Sequence, residues 1–183
     1  METWRPPEQI ALADVGAVVR RYRMADADPI HEAIEASRDH LRPFMFWADQ
    51  TRDVTRRFVV EAEADWDAGI DYVVGIFDAD RDVVLGGGGL HRRGGAESLE
   101  IGYWRRADAG GRGLVTAMAR ALTGAAFTNP AIEAVEIHCD VANRASAAVP
   151  KRLGFELREI ISKDPAAPAE TGRHQVWVTR RSV

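Results

Sequence analysis

The segment from Leu99 to Thr116 constrains the fold of this chain more than any other. An apolar run over residues 99–104 is followed by Gly110, Gly111 and Gly113, and then directly by an amphipathic helix. Glycine lets the backbone turn tightly, and the first turn of a helix presents unpaired N–H groups at the positive end of its dipole. This order of strand, glycine loop and helix start predicts a phosphate-binding site. The segment has neither the Gly-Lys-Ser/Thr of a P-loop nor the three-glycine motif of a dinucleotide site.

Hydrophobic periodicity predicts an α/β (α+β) protein with about seven strands and four helices. The predicted strands cover residues 18–22, 70–77, 83–90, 99–104, 134–139, 155–161 and 175–179. The helices start near Asp28, Thr51, Leu114 and Asn143, and the first runs on to Pro43. Strands two to four form an antiparallel meander, whereas strands four and five are joined through a helix and are expected to be parallel.

The apolar stripes fix which helix faces should be buried. The first helix should bury Ile30, Ile34, Ser37 and Leu41, the second Val54, Phe58, Ala62 and Trp66, and the third Leu114, Met118, Leu122 and Ala125. Residues 1–183 are expected to form one domain, with a polar extension over residues 1–15 and an irregular loop over residues 163–173.

Composition narrows the class of protein without selecting one. The formal net charge of −4 argues against a nucleic-acid partner, and no apolar run is long enough to span a bilayer. The single cysteine, Cys139, cannot form an internal disulfide, so we expect a cytoplasmic protein. The five histidines lack metal-ligand spacing, and we expect no metal site.

A second segment of the sequence, taken together with the glycine loop, indicates a protein family. It reads Asn143-Arg144-Ala145-Ser146, followed by Val149-Pro150-Lys151-Arg152-Leu153-Gly154-Phe155. Together with residues 37–45 and 99–104, the two segments make the chain resemble the GNAT superfamily of acyl-CoA-dependent N-acyltransferases, and within it the RimJ/RimL branch. The resemblance extends from about Val18 to about Val178. It departs at two loop positions, because the superfamily usually has Gln or Arg at Gly110 and Gly or Ala at Val115.

The resemblance implies a mixed, mostly antiparallel sheet that splays between the fourth and fifth predicted strands and holds acetyl-CoA there. The implied backbone contacts to the pantetheine arm come from Tyr103, Trp104 and Arg105, with Asn143 bonding the arm from across the split. The pyrophosphate is expected over Gly110, Gly111, Arg112, Gly113, Leu114, Val115 and Thr116. Basic residues near both segments suit a triply phosphorylated ligand, and they include Arg106, Arg120, Lys151 and Arg152.

Three residues are candidates for proton transfer. Ser146 lies one helical turn after Asn143, and the resemblance implies that it protonates the departing thiolate; alternatively it only contacts the pantetheine arm. Glu100 and His138 are candidates for the base that deprotonates the amine, because they lie on the two strands that flank the split. Alternation places Glu100 on the same side of its strand as Gly102 and Trp104. Their alternative roles are a structural carboxylate and a hydrogen-bonded strand histidine.

Other residues have competing interpretations. The aromatic residues Phe44, Phe46 and Trp47 either line an acceptor pocket or pack in the core or at a dimer contact. Arg38 and His40 either orient a polar substrate or lie on a solvated helix face. The glycines at 86–89 predict a bulge or close packing, and Cys139 a small buried residue.

The resemblance implies an acetyl-CoA-dependent N-acetyltransferase that acts on the α-amine of a protein or peptide. The alternatives are a small-molecule amine acceptor, such as an antibiotic, a polyamine or an amino acid, and a non-catalytic protein that binds or senses acyl-CoA. A homodimer is a further expectation from the resemblance. Acceptor choice depends on the helices and on the loop over residues 163–173, which the shared motifs do not cover.

Overall fold

The computed structural model describes residues 4–93 and 95–181. One eight-stranded sheet has the order β1-β2-β3-β4-β5-β6-β8-β7, and only the β5–β6 pair among its described strands is parallel. The strands are β1 Gln9–Leu12, β2 Ala17–Arg21, β3 Tyr72–Asp78, β4 Val84–His91, β5 Ser98–Arg105, β6 Ala134–Asp140, β7 Glu156–Ser162 and β8 Arg173–Arg180. The helices are α1 Ala27–Glu35, α2 Arg38–Leu41, α3 Arg52–Ala68, α4 Leu114–Ala126 and α5 Arg144–Arg152. The predicted mixed, mostly antiparallel sheet is therefore confirmed, with one more strand and one more helix than expected.

The additional strand lies within the stretch predicted as a polar extension. Residues Gln9–Leu12 form β1 and pair antiparallel with β2, and Leu12 is buried in the core. A four-residue strand is too short to show a clear alternation of polar and apolar residues, which explains why the sequence did not reveal it. Residues 1–3 of the predicted extension lie outside the described residues.

The additional helix arises because the predicted first helix breaks at Ser37. The Ser37 hydroxyl oxygen accepts a hydrogen bond from the Ala107 N–H at 3.0 Å, and Ser37 is buried. This contact joins the α1–α2 bend to the chain just after β5. A tertiary hydrogen bond across 70 residues is not visible in helical periodicity, which explains the incorrect prediction of a continuous helix.

The predicted ends of α3 are confirmed, but its predicted buried face is partly wrong. Thr51 caps the helix, with its hydroxyl oxygen accepting from the Val54 N–H at 3.4 Å, and Gly69 ends it at a φ of 73°. The helix buries Thr55, Val59, Ala62 and Trp66, whereas Phe58 is 43% exposed. A strict four-residue repeat drifts by about 40° at each step in a helix with 3.6 residues per turn, so a buried stripe needs mixed spacings of three and four.

The sheet has a core on each face. On one face, the predicted α4 residues Leu114, Met118 and Leu122 pack with Leu99 and Ile101 of β5. On the other, α1 and α3 pack with residues that include Phe77, Val84 and the partly buried Trp104. Odd-numbered residues of β5 therefore face α4, and even-numbered residues face α1 and α3.

The glycines at 86–89 bring β4 close to its neighbours, as predicted. A Cβ atom at Gly88 would overlap the carbonyl oxygen of Gly102, and one at Gly87 would lie 2.8 Å from the Trp104 indole nitrogen. The β3–β4 register also shifts between Ile76 and Phe77, which leaves Leu85, just before these glycines, without an opposite residue on β3. Among the described residues, no helix is long and apolar enough to cross a membrane.

Candidate active site

The sheet opens between β5 and β6. The two strands pair only at Ser98–Ala134, Leu99–Val135 and Glu100–Glu136, and in the described chain the rest of β5 has no partner on β6. The Arg106 N–H donates to the Leu85 carbonyl on the β4 side at 2.9 Å. Because the direction of peptide groups alternates along a strand, those of Tyr103 and Arg105 face the opening. An extended, amide-bearing ligand can pair with such an edge as an added strand would.

The backbone of Trp104 does not point where a contact with the pantetheine arm would require. Its carbonyl oxygen faces β4, at 2.5 Å from where a Gly86 Cβ atom would lie, so its peptide group does not face the opening. The Trp104 indole instead contacts the Trp47 ring edge to face, with ring centroids 5.8 Å apart.

The glycine loop leads from the opening to the start of α4. Gly111 and Gly113 have φ values of 79° and 74°, in the left-handed region that favours glycine. The first turn of α4 has no acidic residue and no side-chain cap. The N–H groups of Leu114, Val115 and Thr116 are therefore available to an anion.

Two predicted cofactor-binding arginines turn their side chains toward the protein. Arg112 donates to the Val15 carbonyl at 2.9 Å and lies 3.7 Å from an Asp78 carboxylate oxygen. Arg105 donates to the carbonyls of Arg106 and Ala107 at 2.6 and 2.8 Å. These side chains fasten the glycine loop, whereas the sequence could identify them only as cations near it.

The two positions that depart from the superfamily have local explanations. A Cβ atom at Gly110 would lie 3.2 Å from Arg105 Nη1, so glycine leaves room for this guanidinium. Val115 is partly buried and packs against the core on the α4 face.

Lys151 and Arg152 lie in the last turn of α5, and both are exposed. Neither side chain forms a hydrogen bond or an ion pair with any residue that the structure describes. The Lys151 ammonium lies 5.4 Å from the centre of the Trp177 ring. Both cations are thus available to a phosphate.

Ser146 lies on the α4 face of the sheet, in contact with Tyr103. The Ser146 hydroxyl donates to the Tyr103 hydroxyl oxygen at 3.1 Å, and the Tyr103 hydroxyl donates to the Ser146 carbonyl at 3.0 Å. Burial raises the pKa of Tyr103, so this phenol stays protonated at neutral pH. The sequence predicted only a backbone role for Tyr103; its hydroxyl was missed because strand alternation gives no sign of a partner on α5.

Asn143 caps the start of α5. Its side-chain oxygen accepts from the Ser146 N–H at 3.1 Å as an N-cap, which positions Ser146. Nearby Cys139 is buried, and burial raises the pKa of its thiol, as expected for a packed residue.

Glu100 and His138 come together on the opposite face, where the opening begins. His138 Nδ1 lies 3.6 Å from Glu100 Oε2, and His138 Nε2 lies 2.7 Å from Glu136 Oε2. Glu136 also accepts from Arg158 at 2.6 Å. Glu136 and Arg158 were not predicted, although the two-residue spacing of Glu136 and His138 on one strand places both on the same face.

The predicted acceptor residues lie around the α1–α2 bend. Arg105 Nη2 is 3.3 Å from His40 Nε2, and partial burial, followed by the charge of Arg105, lowers the pKa of His40. Arg38 is held in ion pairs with Glu35 and Asp49 at 3.4 and 3.6 Å. Trp47 reaches Trp104 as described above, and Phe44 is partly buried while Phe46 is 74% exposed.

A groove beside this bend is lined by Ser37, Arg38, His40 and Ala107, among others.

Within residues 4–93 and 95–181, no three His, Cys, Asp or Glu side chains converge as metal ligands would.

Comparisons with known proteins agree with this arrangement. A profile of the acetyltransferase (GNAT) domain matches residues 17–156, more than half of the chain. The protein named "Putative ribosomal N-acetyltransferase YdaF", from Bacillus subtilis (strain 168), is 43% identical over 56 residues, a stretch that spans 31% of this chain and only 31% of that relative.

Two solved structures share the fold over nearly the whole chain. The microcin C7 self-immunity acetyltransferase MccE, in complex with acetyl-CoA and AMP, has a TM-score of 0.86 at 18% identity and covers 96% of this chain and 97% of its own. RimL, the ribosomal L7/L12 α-N-protein acetyltransferase, in complex with coenzyme A, has a TM-score of 0.85 at 19% identity and covers 94% and 98%. These likenesses confirm the predicted GNAT fold, and with the profile match they confirm the resemblance: the chain belongs to the GNAT acetyltransferase family.

Proposed function

We propose that this protein transfers the acetyl group of acetyl-CoA to the N-terminal α-amine of a protein or peptide. The observation that carries the proposal is the opening between β5 and β6, where the peptide groups of Tyr103 and Arg105 face the gap. This edge leads to the glycine loop and to the first turn of α4. One extended ligand with amides along its arm and a diphosphate at its end fits both features.

On the donor side, the proposed contacts follow the chemistry of coenzyme A. The N–H groups of residues 114–116 would meet the diphosphate, and Lys151 and Arg152 would meet the remaining phosphate. The Tyr103 N–H, which faces the opening, would stabilise negative charge on the thioester oxygen during attack by the amine.

Proton transfer is divided between the two faces of the sheet. Ser146, positioned by the Asn143 cap and the Tyr103 hydroxyl, would return a proton to the departing sulfur. On the other face, Glu100 and His138 would lie beside the incoming amine. Proton removal from an α-amine is less demanding than from a lysine side chain. Its ordinary pKa is about 2.5 units lower, which corresponds to about 3.5 kcal/mol.

The names of the relatives support a protein acceptor, because RimL is a ribosomal L7/L12 acetyltransferase and YdaF is named for a ribosomal activity. The structure of MccE in complex with AMP favours a second candidate, a small-molecule amine. Acceptors of either class would enter from the side of the α1–α2 bend, where Trp47 and His40 lie beside β5.

A transfer assay separates these candidates. The purified protein is incubated with acetyl-CoA and three sets of acceptors: peptides with a free N-terminus, the same peptides with a blocked N-terminus and an internal lysine, and small amines. Mass spectrometry then identifies the acetylated products. Acetylation confined to free N-termini supports the proposal, and acetylation confined to small amines supports the second candidate. Saturable binding of acetyl-CoA with an intact thioester in every mixture would indicate a protein that senses acyl-CoA and would overturn both.

A further inference from the structure

We infer that His91, oriented by Asp71, is the base that takes the proton from the acceptor amine. The inference rests on the proposed acetyl transfer but not on the identity of the acceptor. His91 ends β4, and its Nδ1 lies 2.8 and 2.9 Å from the two carboxylate oxygens of Asp71, which directly precedes β3. The side chains are 11% and 27% exposed, so a mostly buried imidazole is held by a partly solvated carboxylate.

The His91 ring lies next to the place where the thioester is expected. His91 is opposite Glu100 in the β4–β5 register, on the face of β5 that carries Gly102 and Trp104. A Cβ atom at Gly102 would lie 3.3 Å from His91 Nε2, and one at Gly89 would lie 3.0 Å away. Nε2 is therefore close to the β5 backbone one residue before Tyr103. The absence of a side chain on Gly102 leaves room for the His91 ring to lie against the β5 backbone at this point.

The hydrogen bonds of His91 fix which nitrogen acts as the base. A carboxylate at Nδ1 favours the tautomer that carries the proton on Nδ1, since an ionised carboxylate only accepts. Among the described residues, no hydrogen bond engages Nε2, so its lone pair can accept a proton. A carboxylate paired with a histidine in this way orients the imidazole ring and stabilises the imidazolium that forms.

The other titratable groups on this face are engaged differently. His138 has a carboxylate near each ring nitrogen, at 2.7 and 3.6 Å, and Glu100 accepts from Arg93 at 3.3 Å. Both belong to a charge-compensated cluster, whereas His91 presents an unengaged acceptor. The charged groups that face His91 are Asp71 before β3 and Glu100 on β5.

The proposed step balances without a further reactant. The amine nitrogen forms a bond to the thioester carbonyl carbon, and the C–S bond breaks with its electron pair remaining on sulfur. One amine proton moves to His91 Nε2. The sulfur receives a proton either directly from solvent or from Ser146, which then takes a proton from solvent. Nothing is oxidised or reduced, and the imidazolium returns its proton to solvent before the next cycle.

The substitution His91→Asn tests this role while limiting damage to the fold. The Asn amide nitrogen can still donate to Asp71, whereas the accepting Nε2 is lost. We expect the kcat for acetyl transfer to fall about 100-fold or more, as is typical when a general base is removed. Calorimetry with acetyl-CoA should give a Kd within about twofold of the wild-type value. The acidic limb of the pH profile of kcat/KM should also lose one ionisation and retain that of the acceptor amine.

His31→Asn is the matched control. His31 is likewise buried, and its Nδ1 lies 3.1 Å from the hydroxyl of Thr55 on α3. This variant measures the effect of removing a buried imidazole and should retain wild-type kcat. Asp71→Asn, which disturbs the positioning residue, should lower kcat less than His91→Asn, and in its pH profile the ionisation that is lost in His91→Asn should shift rather than disappear.

All variants are assayed with the amine that the wild-type protein acetylates fastest, whether peptide or small molecule. Failure of every peptide while a small amine reacts would refute the proposed acceptor without affecting this test. A His91→Asn kcat within threefold of the wild-type value, or an equal loss in His31→Asn, would overturn the assignment of His91.

Discussion

The substitution Gly111→Ala gives the most direct test of the glycine loop. Gly111 has a φ of 79°, and a Cβ atom there would meet nothing within 4 Å, so alanine would add backbone strain without a steric clash. A left-handed conformation costs an alanine about 1–2 kcal/mol. If the loop keeps its conformation, this strain lowers the free energy of unfolding. If the loop relaxes to a negative φ, its N–H groups turn away from the diphosphate and acetyl-CoA binding weakens by about 5- to 30-fold.

The matched control is Gly124→Ala, the same chemical change in the same helix-and-loop unit. Gly124 lies in α4, is exposed, and also has nothing within 4 Å of a built Cβ atom. Because alanine favours a helix, this variant should be more stable by about 1 kcal/mol and should bind acetyl-CoA normally.

Two measurements on each variant decide the outcome. Calorimetric titration gives the Kd for acetyl-CoA, and thermal unfolding without ligand gives the Tm, which should change by about 2–4 °C for each kcal/mol in a chain of this size. In Gly111→Ala, the loss of unfolding free energy and the loss of acetyl-CoA binding free energy should together reach about 1–2 kcal/mol. A variant with wild-type Kd and wild-type Tm would refute the assignment of this loop as a strained anion-binding turn.

Three further predictions address the rest of the site. Ser146→Ala should bind acetyl-CoA normally but lower kcat at least tenfold if Ser146 protonates the sulfur; an unchanged kcat would reduce the residue to a contact. The double substitution Lys151→Ala, Arg152→Ala should weaken the binding of acetyl-CoA but not of dephospho-acetyl-CoA in calorimetry, and equal weakening of both would contradict the phosphate contact. Asp140→Ala should lower the free energy of unfolding by about 3 kcal/mol in urea at pH 7, because the buried carboxylate accepts from the backbone N–H groups of Ala142, Thr171 and Gly172. Burial opposes ionisation of Asp140, but these hydrogen bonds outweigh it and lower its pKa. Its contribution is therefore complete above the ordinary carboxyl pKa and is lost as the pH falls through the lowered value, so the difference between wild type and Asp140→Ala should shrink in acid. A difference that stays constant down to pH 2 would contradict this reasoning.

Local sequence signals predicted the elements that depend on local chemistry. Thr51 and Gly69 delimit α3 because a cap hydroxyl and a left-handed glycine act within one turn of the chain. The α4 stripe is buried as predicted because its spacings of four and three follow the helical period. The splay between β5 and β6 followed from the resemblance, and the three-pair ladder of the structure agrees with it.

Local sequence patterns could not predict contacts between distant parts of the chain. The break at Ser37 depends on Ala107, and the pairing of Tyr103 with Ser146 joins residues that are 43 positions apart. The peptide direction of Trp104 depends on its register with β4, which a strand pattern alone does not define.

The sequence by itself determined the family and the glycine loop, since both are encoded in short contiguous motifs. Only the tertiary structure decided how the residues are arranged across the sheet: Ser146 with Tyr103 on one face, and Glu100, His138 and the Asp71–His91 pair on the other. The physical reason is that the effect of a titratable side chain depends on burial and on partners from other strands. Those partners are fixed by sheet register and packing rather than by neighbours in the chain.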